Sequence, residues 1–363
     1  VRGSVIWQNW FWWNLLMGSL LGVFLFSRLW RRADVLTDNE LLEIRYSGKP
    51  AAFLRAFKAG YFAILYNFIV MGWVINAMAS VVSVMLNMDK WTAVWLCVII
   101  ALVYAILSGF WGVVITDLVQ FVIAMFGSIT LAIIAVNYVG GMESLLVKLS
   151  EYTGTDVINK NTLKFIPPVP DAGVTTSTFW ESPFSKFLIY ISVMWWSHHG
   201  TDGGGYIIQR MSSAKNERHA LLATLWYNLA HYALRVWPWI IVAVVSIVMF
   251  PIIPESYTEL GTKAGYPLVM NTLLGPGLMG ILIVSFLAAF MSTIDTHLNW
   301  GVSYLINDIY KRFFQPNRSE RHYVVIGKIF TIILMILAAF TACLLYTSPS
   351  PRDLSTSRMP SSA

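Results

Sequence analysis

A chain of 363 residues with 57% hydrophobic and 12% charged residues and a mean hydropathy of +0.63 falls outside the range of soluble domains, which carry roughly twice that share of charge. The composition predicts an all-α, multi-pass membrane protein. The net charge of +6 is accounted for by loops that face anionic inner-leaflet lipid, so nucleic acid is not among the expected partners.

Apolar runs long enough to cross ~30 Å of hydrocarbon are expected at 7–27, 57–85, 91–107, 113–139, 184–206, 221–250, 278–306 and 323–345, which makes about eight crossings. With the loops taken alternately, one side collects Arg28, Arg31, Arg32, Arg45, Lys49, Arg55, Lys58, Arg210, Lys215, Arg218, Lys311, Arg312, Arg318, Arg321 and Lys328. The other side holds Lys90, Lys148, Lys160, Lys164, Lys186 and Lys263, mostly in one long loop. Basic residues stay in the cytoplasm, so the first crossing is expected to run inward and the eighth outward. Cys97 and Cys343 both fall in apolar runs and read as small core residues, not as a disulfide framework.

The chain opens at Val1 and enters its first crossing without an initiator methionine, a charged n-region or a cleavage site, so its start reads as missing. Gln8 and Asn14 are among the polar residues of that crossing. LTDNELLEIRYSG then predicts a short surface helix, with Thr37 as N-cap, Glu40 at the third helical position and Gly48 as C-cap. ITDLVQ places Thr116, Asp117 and Gln120 at the start of the fourth crossing. An Asp one turn inside a bilayer costs roughly 2.5 to 3.5 kcal/mol, and both a turn cap and a functional role stand open for Asp117. The longer loops, 140–182 and 251–276, are expected outside as lids or caps.

The fifth crossing contains MWWSHHGTDGGGYIIQR. Each glycine lowers helix stability by about 1 kcal/mol against alanine, so this run predicts a broken helix with backbone carbonyls exposed near the midplane. Trp195, Trp196, Ser197 and His198 precede the break and suit a ligand with hydroxyl groups and an apolar ring face. His198, His199 and Asp202 make a poor metal site, because adjacent helical histidines point about 100° apart. In the sixth crossing Asn228, His231 and Arg235 follow one another at single turns, with Pro238 permitting a kink. Interhelical hydrogen bonding and solute contact both remain open there.

The stretch 285–310, SFLAAFMSTIDTHLNWGVSYLINDIY, carries Ser292, Asp295, Asn299 and Ser303 at steps of three and four, which puts them on one helix face. Oxygen donors on such a face are what a hard cation prefers. After the eighth crossing, YTSPSPRDLSTSRMPSSA has no helical or strand period. The expected organisation is a partial transmembrane domain over 1–345 and a disordered or non-native tail over 346–363.

Four strings carry a resemblance: RRADVLTDNELLEIRYSG, GFWGVVITDLVQ, GGGYIIQRMSSAKN and AAFMSTIDTHLNWGVSYLINDIY. Together, in this order, they resemble the sodium:solute symporter family, which includes sodium/glucose and sodium/proline transporters. The resemblance implies a leucine-transporter-type inverted-repeat fold, with the crossings here matching core helices two to nine. It implies sodium as coupling ion, held by the carbonyl of Ala289 and the hydroxyls of Ser292 and Thr293, with Asp117 on the inward sodium path. Asp295 stands where two-sodium relatives carry a hydroxyl, which leaves it as a ligand for a second sodium with Asp117 or as a proton carrier. It also brings Trp195, Trp196, Ser197, His198 and Asn228 near the solute, with Gln8 and Asn14 facing the same cavity.

The leading expectation is therefore a plasma-membrane symporter that takes up a small polar solute, a sugar or polyol before an amino acid or carboxylate, by alternating access. Its expected partners are sodium, solute and membrane lipid, with no required protein partner evident. A transporter-like sensor module is the alternative, and an enzyme has less support, because no nucleophile–base pair or metal-ligand set stands at usable spacing.

Overall fold

Most of the apolar runs lack a polar face, which suits helices that are surrounded by protein or lipid on all sides. The computed structural model describes residues 6–86, 88–107, 110–151, 163–170, 175–198, 200–254 and 264–347. Among them every regular element is helical. In chain order these are α1 (Trp10–Ala33), α2 (Glu40–Arg45), α3 (Gly48–Ser83), α4 (Lys90–Leu107), α5 (Phe110–Tyr138), α6 (Gly141–Glu151) and α7 (Thr176–Glu181). There follow α8 (183–197), α9 (Gly204–Ser212), α10 (Glu217–Met249), α11 (Gly265–Leu273), α12 (Pro276–Phe314) and α13 (Glu320–Thr347).

Seven of these helices, α1, α3, α4, α5, α10, α12 and α13, are long and apolar enough to cross a membrane. The fifth expected crossing is absent from that set because it is split: α8 stops at Ser197, and α9 starts at Gly204. The glycines that predicted a break thus produce one. Several long helices carry a π turn, at Gly22–Phe26 in α1, Tyr61–Tyr66 in α3, Ala230–Leu234 in α10 and Leu305–Phe314 in α12. The π turn in α10 ends four residues before Pro238, where the Arg235 N–H bonds the Ala230 carbonyl at 3.1 Å. The expected kink therefore takes the form of a widened turn, which moves the Leu234 carbonyl that the proline ring would otherwise meet.

The surface helix differs from its expected caps. Asn39, not Thr37, is the N-cap residue. Thr37 lies a turn earlier, where its carbonyl accepts from the Glu40 N–H at 3.2 Å, and Glu40 reaches back to the Leu36 N–H at 3.0 Å. The reach-back expected inside the helix is made by its first residue, so the helix begins later. Gly48 is likewise not a C-cap but the first residue of α3, at φ +81°. Pro50 in that first turn lacks an N–H that would in any case have no helical acceptor.

The chain divides into two compact units, Val1–Tyr46 with Val119–Ser285, and Ser47–Leu118 with Phe286–Ala363. In the first, α1 packs on α9 and α10, with Trp30, Val35, Ile208 and Met211 buried together. In the second, α3, α4 and α13 pack side by side over buried Met71, Ile75, Cys97, Leu334 and Met335. Cys97 is a free, buried thiol. Inside a bilayer the hydrophobic effect does not drive helices together, so close approach depends on small residues. Gly72 shows this: a Cβ there would sit 2.7 Å from Thr341 Cβ on α13. Gly301 on α12 is equally tight, because its Cβ would sit 2.5 Å from Asn67 Nδ2. That amide donates to the His297 carbonyl at 2.6 Å, and its oxygen meets His297 Nδ1 at 2.6 Å. Arg55 on α3 pairs with Asp308 on α12 at 2.8 Å, with their side chains 8% and 0% exposed.

Candidate functional site

In the first unit the break between α8 and α9 is closed by its own side chains. His198 leaves the helix with extended backbone, φ −70° and ψ 131°. The Thr201 hydroxyl lies within hydrogen-bond distance of the carbonyls of Trp195 (3.1 Å), Trp196 (3.3 Å) and His198 (2.8 Å). These carbonyls have lost helical N–H partners at the end of α8, and a hydroxyl is the compact donor that can serve them. The Gly200 N–H donates to His198 Nδ1 at 3.1 Å, and the Gly204 N–H to Asp202 Oδ1 at 3.2 Å. The Asp202 carbonyl accepts from Trp30 Nε1 at 3.0 Å, which ties the break to α1. Gly203 and Gly204 adopt φ +121° and +64°, values that side-chain-bearing residues rarely tolerate. Gly18 on α1 lies against the break so closely that a Cβ would meet the Trp195 carbonyl at 2.6 Å.

Around this break the expected solute residues fall into two kinds. Trp195 is half-buried, whereas Trp196, Ser197 and His198 are exposed, Trp196 by 58%. Asn14 on α1 and Asn228 on α10 are each 2% exposed. Asn14 Nδ2 donates to the carbonyls of Trp10 and Phe11, both at 2.8 Å, and Asn228 Nδ2 to that of Thr224 at 2.9 Å. In both residues the amide oxygen is buried without a partner. Gln8 lies in the helical turn Ile6–Asn9, with its side chain outside the described positions, as is His199.

One residue held only as an open alternative acquires definite surroundings. Arg235 on α10 places its guanidinium 5.1 Å from the Trp239 ring centroid and 5.9 Å from that of Trp12. Trp12 also lies 4.8 Å from the His231 ring, which stacks on Tyr227 at 5.1 Å. A charge at this depth costs roughly 2.5 to 3.5 kcal/mol on insertion scales, and desolvated cation–π contacts return about 2 kcal/mol. Spacing placed Arg235 on a face with Asn228; the aromatic partner from α1 had no sequence signal at all.

In the second unit, the stripe of α12 lies as its spacing predicts. The Thr293 hydroxyl donates to the Ala289 carbonyl at 2.9 Å, so two of the three expected sodium ligands are adjacent oxygens, with half-buried Ser292 beside them. Asp295 is 1% exposed, and Asn299 Nδ2 donates to its carbonyl at 3.0 Å and approaches its Oδ1 at 3.4 Å. Asp117 is half-buried near the start of α5. Both carboxylates act electrostatically on Tyr104 of α4, whose hydroxyl bonds that of Thr116. Asp117 and Asp295, distant in sequence, thus both lie within electrostatic reach of Tyr104. No cluster of three His, Cys, Asp or Glu suited to a metal occurs among the described residues.

The sodium/glucose cotransporter 4 of Danio rerio is 26% identical over 346 residues, which cover 90% of this chain and 50% of that protein. The sodium/glucose cotransporter 1 of Mus musculus is 28% identical over 342 residues, covering 89% and 50%. The sodium/myo-inositol cotransporter of Mus musculus is 26% identical over 358 residues, covering 89% and 47%. The chain therefore spans about half the length of the curated relatives it matches. Among solved structures, a Na+-coupled sialic acid symporter in a substrate-bound, outward-open state superposes with a TM-score of 0.69 at 17% identity, covering 94% of this chain and 70% of that one. That likeness is one of fold, the leucine-transporter-type arrangement of helices. The sodium:solute symporter model matches residues 3–348, nearly the whole length over which the helices run, and the chain belongs to the sodium:solute symporter family.

Proposed function

We propose that this chain forms part of a sodium-coupled secondary active symporter, a multi-pass protein of the cell membrane that takes up a small polar solute, a sugar or polyol, by alternating access. The break between α8 and α9 carries the reading. It interrupts a crossing with backbone already satisfied by Thr201 and leaves the ends of α8 and α9 presenting Trp195, Trp196, Ser197 and His198 to a ligand. Transporters place substrate sites at such discontinuous helices. Asn14 and Asn228 add amide oxygens that want hydroxyl donors, and Gln8 belongs to the same solute set. The names of the relatives, glucose and myo-inositol cotransporters, agree with a polyhydroxylated ligand.

Sodium is held in this reading by the carbonyl of Ala289 and the hydroxyls of Ser292 and Thr293, with Asp117 and Asp295 as a second cation position or the path to the first. Each sodium ion crossing the membrane delivers about 2.3 kcal/mol per 100 mV. Removing two of three oxygen ligands weakens the ion far more than it disturbs an apolar helix. In the full-length protein, Ser292→Ala with Thr293→Ala is expected to raise the sodium concentration for half-maximal uptake by about tenfold or more, equivalent to about 1.4 kcal/mol. Unchanged sodium dependence in sodium-titrated uptake would refute the assignment.

A further inference from the structure

Among the described residues Arg235 has no anion of its own. It sits midway along α10, roughly 27 Å from the Glu217 end and roughly 21 Å from the Met249 end at 1.5 Å per residue. Arg31, Arg32 and Arg55 each pair with a carboxylate, Asp34, Glu217 and Asp308 respectively. Among the described residues the groups that act electrostatically on Arg235 are instead the phenols of Tyr206, Tyr227 and Tyr232 and the imidazole of His231. Its Nε is buried with no hydrogen-bond partner. The indoles of Trp12 and Trp239 meet the guanidinium through their ring faces, and such contacts use none of its N–H donors as hydrogen bonds. A guanidinium presents five of these in a planar fork that matches a carboxylate.

Two buried polar side chains on the same two helices lack the opposite partner. Asn14, two residues beyond Trp12, and Asn228, one turn before His231, have spent their amide nitrogens on main-chain carbonyls and keep buried oxygens with no donor. A ligand that satisfies this set carries one anionic group and several hydroxyls. We propose that the solute is a hydroxylated carboxylate, a sugar acid, whose carboxylate is bound by Arg235 against the indoles of Trp12 and Trp239; the inference rests on the transport reading above and narrows its substrate class.

The test uses the purified full-length protein and needs no variant at first. Thermal stabilisation is measured with D-glucuronate, and with D-glucuronamide, which keeps the hydroxyls and removes the charge. The acid is expected to act at a concentration lower by about thirtyfold or more, the size of effect that follows loss of one partner from a buried charge pair. Arg235→Gln should abolish that preference and Arg235→Lys should retain part of it; if the glutamine variant does not fold, the lysine variant and the acid–amide comparison decide. Equal stabilisation by acid and amide, stabilisation by neither, or an acid preference that persists in Arg235→Gln would overturn the proposal. Sodium-driven uptake in proteoliposomes separates the two readings. Acid binding without sodium-dependent uptake would remove the transport reading and leave the Arg235 assignment standing. Sodium-driven uptake of D-glucose or myo-inositol that is indifferent to Arg235→Gln would do the reverse.

Discussion

Arg55 and Asp308 show what a charge needs in order to stay inside this protein. Their 2.8 Å contact is buried on both sides, and breaking such a buried pair by removing one partner costs about 3 to 5 kcal/mol. Asp308→Leu alone should therefore lower the melting temperature sharply, and Arg55→Met in the same molecule should recover much of the loss. A double variant no more stable than the single one would show that the pair is not the cause. The exposed Arg32–Glu217 contact should contribute little by comparison. Single residues were legible where their helix is regular: Ala289, Ser292 and Thr293 share a face by spacing alone, and the Thr293–Ala289 contact follows from it. Asp295 was legible as an intramembrane acid, but its sharing of Tyr104 with Asp117 depends on how α5 and α12 are placed around that tyrosine. Arg235 was legible as sharing a face with Asn228 and His231, but its lack of a counter-ion among the described residues is a property of neighbours.

At the scale of the element, the split fifth crossing was the most readable departure from regular helix, since glycine at positive φ leaves a mark in the sequence. What holds the break together was not readable. Thr201 serves the carbonyls of Trp195 and Trp196 in the last turn of α8 and that of His198 beyond it, and nothing in GTDGGG singles out that threonine over its neighbours. Thr201→Val keeps the shape and removes the donor, and is expected to destabilise by about 1 to 3 kcal/mol. Gly18→Leu should be worse, because a Cβ there already meets the Trp195 carbonyl at 2.6 Å. Melting curves of both variants check this; wild-type stability in Thr201→Val would assign the closure of the break to other contacts. The π turns were hidden for a different reason. Each inserts one residue into an apolar helix without changing its composition, and only Pro238 after the turn in α10 gives a hint. The N-cap of α2 was hidden as well, since Thr37, Asp38 and Asn39 are all acceptable N-caps by residue type and Asn39 takes the position without a side-chain cap bond.

For the whole molecule, membrane character followed from composition, and the helices that could span followed from run length. Orientation rests on the asymmetry of Lys and Arg, which predicts that the loop after α9 faces the cytoplasm and the loop carrying α7 faces outward. With Cys97 and Cys343 replaced, a cysteine at exposed Ser213 should react with a membrane-impermeant maleimide only in inverted vesicles, whereas one at exposed Thr178 should react on intact cells. The opposite pattern would invert the topology.

The self-sufficiency of the break between α8 and α9 has a consequence for divergence. Its backbone is satisfied by Thr201, Asp202 and His198 Nδ1, and its bends by Gly203 and Gly204. Trp196, on the last turn before it, contributes only its carbonyl to that closure, and the Ser197 hydroxyl donates back into α8, to the Met194 carbonyl at 3.3 Å. Their side chains can change without reopening the architecture; under the proposed solute reading, new preferences can then be acquired there by single substitutions while the discontinuity persists.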